Sequence, residues 1–195
     1  MVSVLLSGIG LAAPAGLNAY IPLLVLALAD RFSTLVTLDA PYDVVSSYWG
    51  ITVLLLLLSV ELIADKIPGV DHVNDLLQSA IRPAAGAFLV MAQSASSDVG
   101  AISPAIALFL GLTTAGAVHG AKATVRPAIT VTTGGIGNPI VSMLEDFLAA
   151  VTSIIAILLP LLLIVILPLV AFGLWRVYRR LQRSGGTLRR LSGQP

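Results

Sequence analysis

Four long apolar runs constrain this chain more than any other feature. They extend from Val2 to about Ala29, from Gly50 to about Ala64, from Ala101 to about Val118, and from Asn138 to Tyr178. About 20 predominantly apolar residues suffice to carry a helix across a bilayer core roughly 30 Å thick. Inside that core the backbone must satisfy its own hydrogen bonds, so helices are the default for such runs. Charged residues make up 11% of the 195, whereas soluble domains carry roughly 25%. The chain is therefore predicted to be all-α, a polytopic helical membrane protein of about five to six spans. Residues 1–180 would form a single transmembrane domain, and residues 181–195 a basic, disordered cytoplasmic tail. There are no cysteines, which excludes disulfides, thiolate catalysis and Cys-ligated metals. The N-terminal Met1-Val2-Ser3 has no positive region ahead of the first run, so that run reads as a retained span and not a cleaved signal.

The runs are interrupted in an informative way. Pro14, Gly16, Asn18 and Pro22 fall in the middle of the first. An interior proline removes a backbone hydrogen bond and kinks a helix, so the first run is expected to be a broken helix lying against other helices. Residues 30–48 read as a loop with Asp39, Pro41 and Asp43, and Tyr42, Tyr48 and Trp49 suit a membrane surface. The second run ends with Glu61 and Asp65, which share a helix face at i,i+4. Ile67-Pro68-Gly69 is expected to stop it. Asp71 to Ala80 reads as a short amphipathic helix, with Val73, Leu76, Leu77 and Ala80 apolar and Asp71, Asn74, Asp75 and Gln78 polar. Arg82-Pro83 then leads as a break into a weakly apolar segment reaching about Ser97.

Gly116 and Gly120, at the close-packing spacing of four, follow in the next run with Gly111 and Ala115 nearby. His119, Lys122 and Arg126 continue from it at i, i+3, i+7 and share a face if the helix persists. After a glycine-rich turn at 134–137, Asn138 and Pro139 form a helix-start signal. In the helix that follows, Ser142, Glu145, Asp146 and Ala149 line one side; Ile140, Val141, Leu144, Phe147 and Leu148 line the other. The remaining run fits either a half-helix plus one span or two spans broken near Pro160. Six of the eleven basic residues (Arg176, Arg179, Arg180, Arg183, Arg189, Arg190) sit at the C-terminal end. By the positive-inside rule that end is cytoplasmic. Loop 30–48 then falls outside, and the Lys66–Arg82 and Lys122–Arg126 regions lie near the cytoplasmic side.

A short internal echo accompanies this pattern. Ile81-Arg82-Pro83-Ala84 recurs as Val125-Arg126-Pro127-Ala128, each with a carboxylate pair nearby in sequence. Interrupted helices in two related halves are a pattern of small transporters.

Two charged constellations are candidates for function, because ionisable groups within membrane segments are costly. Arg82, Lys122 and Arg126, with His119 beside them, could hold a carboxylate or phosphate. Asn18 could line the same pathway, and the turn ending at Asn138 could add backbone donors. Glu61, Asp65, Glu145 and Asp146 could couple protons, or could neutralise the cations as static ion pairs. The two histidines, His72 and His119, are too few for a His-based metal site unless carboxylates complete it, and no metal or cofactor is expected. No motif pairs a nucleophile with a base, so the protein is not expected to be an enzyme.

Several segments together carry a family resemblance: Gly16-Leu17-Asn18-Ala19-Tyr20; Glu61 through Asp65-Lys66-Ile67-Pro68-Gly69-Val70-Asp71; Ile81-Arg82-Pro83-Ala84-Ala85-Gly86; and Gly134-Gly135 through Asn138-Pro139 to Glu145-Asp146. They resemble a family of small bacterial multi-span membrane proteins grouped as a domain of unknown function, number forty-one twenty-six. The resemblance covers about Gly10 to Ala150 and implies a bacterial inner-membrane location; it supplies neither a substrate nor catalytic residues. The functional expectation is transport of a small anionic or lipid-like solute at a polar site near helix breaks. The alternative is a non-catalytic accessory subunit of a larger membrane transport complex. Expected partners are membrane lipids and other integral membrane subunits, or a second copy meeting through Gly116 and Gly120, with no nucleic acid.

Overall fold

A computed structural model describes residues 2–65, 67, 70–96, 102–162 and isolated positions between 165 and 179. The described residues form six α-helices and no strands: α1 (Val2–Ala15), α2 (Tyr20–Phe32), α3 (Tyr48–Ala64), α4 (Val70–Ala95), α5 (Pro104–Thr133) and α6 (Asn138–Leu158). The chain divides into two compact units, Met1–Leu163 and Ile164–Pro195. The first holds α1 to α6. The expected boundary at residue 180 and the basic tail lie outside the described residues.

The break in the first apolar run falls where Gly16 and Asn18 sit. Backbone N–H groups of Leu17 and Asn18 close back onto Pro14 O at 2.9 and 3.0 Å, ending α1. The Asn18 side-chain oxygen then accepts from the N–H groups of Tyr20 and Ile21 at 3.0 and 3.1 Å. That satisfies donors an α-helix leaves open at its start, so α2 begins there. Residues between α2 and α3 are tied down by Asp30 and Arg31. Asp30 accepts from Leu38 N–H at 2.7 Å and from the Ser46 hydroxyl. Arg31 donates to Ser46 O at 2.9 Å and stacks on the Tyr48 ring at 3.6 Å. Ser47 caps α3 by accepting from Gly50 N–H at 2.9 Å.

The two Arg-Pro pairs do not break their helices. The expected short helix at 71–80 and the segment beyond it are one helix, α4, with Pro83 inside it. Pro127 likewise lies inside α5, which continues to Thr133. An interior proline can kink a helix without ending it, and in both helices the adjacent arginine is fixed by contacts to other helices. α5 stops instead at Gly134 and Gly135, whose φ values of 61° and 86° lie in the left-handed region that glycine tolerates without a Cβ clash. α6 stops before Pro160, where a single short helical turn (Pro160–Leu162) begins. A break near Pro160 is thus observed, and the second span expected after it lies outside the described residues.

α4 and α5 pack antiparallel, Ser94 meeting Ile102 at one end and Arg82 meeting His119 at the other. Their closest approach is at Gly86 and Gly111. A Cβ on Gly111 would lie 2.3 Å from Gly86 O and 2.4 Å from the Ala87 Cα. α1 packs against α4 and α5 through small residues, with Ala12, Val90 and Ala107 buried together. Gly16 sits so close to α5 that a Cβ would lie 2.4 Å from Ala115 O. α6 runs antiparallel to α1, Ser7 donating to Ala156 O at 2.7 Å, and it also packs on α2. The glycines that close the interior are thus Gly16, Gly86 and Gly111. Gly116 has Pro83 Cγ at 3.8 Å, and Gly120 faces open space.

The outer faces are apolar. Trp49, Phe109, Val131 and Phe147 are all more than half exposed, as are Leu56 and Val60 of the leucine run. Two helices, α5 and α6, are long and apolar enough to cross a membrane by length and composition. The closeness of Gly86 to Gly111 makes a direct prediction. Gly111→Leu should lower thermal stability of the purified protein by at least about 1–3 kcal/mol, whereas Gly120→Leu should change it by no more than about 0.5 kcal/mol.

Candidate functional site

The α5 face that enters the interior reads Ala107, Gly111, Ala115, His119, Lys122, Arg126. Its first half is small and lets neighbouring backbones approach. Its second half is polar, and all three of those side chains are buried. The charges of Lys122 and Arg126 meet carboxylates from other helices.

Asp65, just past the end of α3, is the hub. Its Oδ1 accepts from Asn74 Nδ2 of α4 at 2.7 Å. Its Oδ2 lies 3.2 Å from Arg126 Nη2, 3.6 Å from Lys122 Nζ and 4.0 Å from Arg82 Nη2. Ser142 of α6 donates to the same oxygen at 3.4 Å. Glu145, one turn further along α6, brings a second carboxylate to the same cations. Its Oε2 lies 3.0 Å from Lys122 Nζ and 3.2 Å from Arg126 Nη2. Asp65, Lys122, Glu145 and Arg126 therefore form a closed ring of alternating charge. The remaining Lys122 proton is used by the α1–α2 break: its ammonium donates to Leu17 O at 3.0 Å.

A second arm leaves the ring through Arg82, which is wholly buried. Its Nη2 donates to Glu61 Oε1 of α3 at 2.9 Å. Its Nη1 lies 2.9 Å from His119 Nδ1. Arginine can only donate, so Nδ1 is the acceptor and the ring proton sits on Nε2. That nitrogen donates to Ser79 Oγ of α4 at 3.0 Å. Glu61 Oε2 is buried and has no hydrogen-bond partner among the described residues.

The predicted residues thus largely converge. Arg82, Lys122 and Arg126 share one buried site with Glu61, Asp65 and Glu145. Asn18 stands at its edge, where it donates to Asp146 Oδ1 at 3.0 Å and so joins the α1–α2 break to α6. Asn138 sits instead at the corner between α5 and α6, where it exchanges hydrogen bonds with Thr130 at 3.0 and 3.2 Å. The site is built mostly on faces of continuous helices, with only the Leu17–Asn18 break and the end of α3 supplying irregular backbone. Sequence reasoning missed Asn74, Ser79 and the Leu17 carbonyl. Asn74 had a signal, as part of the polar side of the stretch 71–80; the other two had none. A cleft of about 230 Å³ lined by Tyr42, Met91, Ser94 and Ala107 lies at the other end of the α4–α5 pair, away from these charges.

Fold and site together define a class: an all-helical protein that buries an ion-pair network and exposes apolar helix faces. The chain belongs to the family described as Domain of unknown function (DUF4126), whose model matches residues 5–180. The match continues beyond Ala150, where the sequence resemblance stopped, into the last apolar run. Comparison with curated proteins and with solved structures gave no match.

The two ring carboxylates are held unequally, and this can be measured. Asp65 is approached by donors from three helices. Removing one partner of a buried ion pair costs about 3–5 kcal/mol, so Asp65→Ala should lower stability by about that much. Glu145→Gln leaves Lys122 and Arg126 still facing Asp65. Its expected loss is nearer that of a hydrogen bond to a charged group, about 1.5–3 kcal/mol. Thermal unfolding of the two variants, purified in the same detergent, checks the order.

Proposed function

We propose that this is a multi-pass protein of the bacterial inner membrane, C-terminus cytoplasmic, that moves a small anionic solute through the site built on Arg82, Lys122 and Arg126. One observation carries the reading: the chain is inside out relative to a soluble protein. Arg82, Glu61 and Asp65 are at most 3% exposed, whereas Trp49 and Val131 exceed 80%. Apolar faces of that extent suit lipid, and intramembrane charges gathered in a bundle interior mark solute or proton paths in such proteins. The cations supply the groups that recognise an oxyanion. Glu61, Asp65 and Glu145 balance them when no solute is bound.

A second reading has its own support. Gly120 faces open space on α5, and Gly116 packs only loosely. These small residues leave a notch for a helix of another subunit or of a second copy, as an accessory subunit of a larger complex would need.

The absence of native cysteines makes the topology directly testable. A membrane-impermeant maleimide should label Asp43→Cys in intact cells, and Ser192→Cys only after permeabilisation. The opposite pattern would overturn the orientation. Reconstituted vesicles test the transport itself: flux of small labelled anions should be present in the natural protein and lost in Arg126→Ala and Glu61→Gln. A pull-down in mild detergent separates the two readings. Recovery of a stoichiometric larger complex, lost in Gly120→Leu, would favour the accessory subunit.

A further inference from the structure

Lys122 and Arg126 both point at a single oxygen, Glu145 Oε2, at 3.0 and 3.2 Å. We infer that this position is an anion seat, that the Glu145 carboxylate is its resident occupant, and that a small monovalent carboxylate displaces it with uptake of one proton by Glu145. The inference rests on the transport reading above and specifies its substrate class and coupling.

Three features single out Glu145 from the other ring carboxylate. First, Asp65 is approached from α4, α5 and α6 and is 3% exposed, while the Glu145 side chain has two cationic neighbours and is 14% exposed. Second, α6 packs on α1 and α2 but makes few contacts with α5. The Glu145 bridge therefore crosses a seam with little other packing, and it can open without unpacking a core. Third, the charges leave room for one anion. Without Glu145, and among the described residues, the three cations Arg82, Lys122 and Arg126 face two carboxylates, Glu61 and Asp65. One monovalent anion restores neutrality.

The exchange balances in atoms and charge. The solute carboxylate accepts the hydrogen bonds of Lys122 and Arg126 in place of Glu145. A displaced, unpaired carboxylate inside the bundle is costly, so Glu145 takes a proton as it leaves. Anion and proton then enter the site together, and no covalent bond changes other than that O–H. Among the described residues, the groups that face Glu145 are Lys122 and Arg126 on α5, Asp65 at the end of α3, and Arg82 on α4 behind Asp65. Asp146 is its neighbour on α6 and is held by Asn18. Tyr20 is the titratable residue at the start of α2, and α1 carries no charged residue. Among the described residues no other carboxylate combines both ring cations with partial exposure, so the coupled proton is assigned to Glu145.

The test uses the full-length purified protein with acetate as the probe, in titration calorimetry run in buffers of different ionisation enthalpy. The natural protein should take up about one proton per acetate bound, read from how the apparent binding enthalpy changes with the ionisation enthalpy of the buffer. Glu145→Gln should bind acetate with no net proton uptake and a flat pH profile. Glu145→Ala, which opens the seat, should gain several degrees of thermal stability with sodium acetate and not with sodium chloride at equal ionic strength. Proton uptake that persists in Glu145→Gln would overturn the inference, as would a folded Glu145→Ala indifferent to acetate. Proton-linked acetate binding without flux in vesicles would support the seat and defeat the transport reading. Flux whose pH dependence is unchanged in Glu145→Gln would defeat the seat alone.

Discussion

A buried charge must find its opposite. Moving an isolated ammonium or carboxylate out of water costs several kcal/mol even after relaxation, and an interior holding Arg82, Lys122 and Arg126 would be untenable if any stood alone. The structure meets this constraint by bringing α3, α4, α5, α6 and the α1–α2 break to one place. Asp65 and Glu145 close a ring with Lys122 and Arg126, Glu61 takes Arg82, and the Leu17 carbonyl takes the last Lys122 proton. The glycine contacts serve the same end. Gly86 against Gly111, and Gly16 against Ala115, lie one to three turns from these charges and draw the backbones together. Attraction between full charges strengthens as water is excluded, so the tight small-residue packing and the ion network support one another.

Much of the site was legible because helical periodicity is local. The spacing of His119, Lys122 and Arg126 put them on one face, and they occupy one. Glu61 with Asp65, and Ser142 with Glu145, were grouped on the same principle and do share the interior. Family membership was also legible, from short segments read together. What periodicity cannot supply is which faces meet. Nothing in the stretch 71–80 indicated that Asn74 would reach Asp65 across a turn, or that a main-chain carbonyl at Leu17 would receive a lysine 105 residues away. The prolines misled for a related reason. Read locally, Pro83 and Pro127 are breaks; in the folded chain the preceding arginines are anchored on both sides and the helices run through. The glycines show the same limit: spacing drew attention to Gly116 and Gly120, but the interior contacts fell to Gly86 and Gly111, whose partners lie on different helices.

The paired arginines also change how the anion reading is framed. Three cations in an apolar chain suggest an empty receptor for a negative solute. In the structure each already has a carboxylate, so recognition would proceed by exchange of one anion for another. The free energy of such an exchange is a difference between two similar ion pairs, which suits a solute that must be released as well as bound. A docking role would instead leave the ring as a fixed fastening between helices.

The order of the network along the chain has a consequence for biogenesis. A ribosome makes Glu61 and Asp65 first, then Arg82, then Lys122 and Arg126, and Glu145 last. The nascent buried set passes from two negative charges to one, through neutrality to one positive, and back to neutral. Each cation of this network is made after a carboxylate partner, so the network never holds more than two uncompensated charges while the chain is being made.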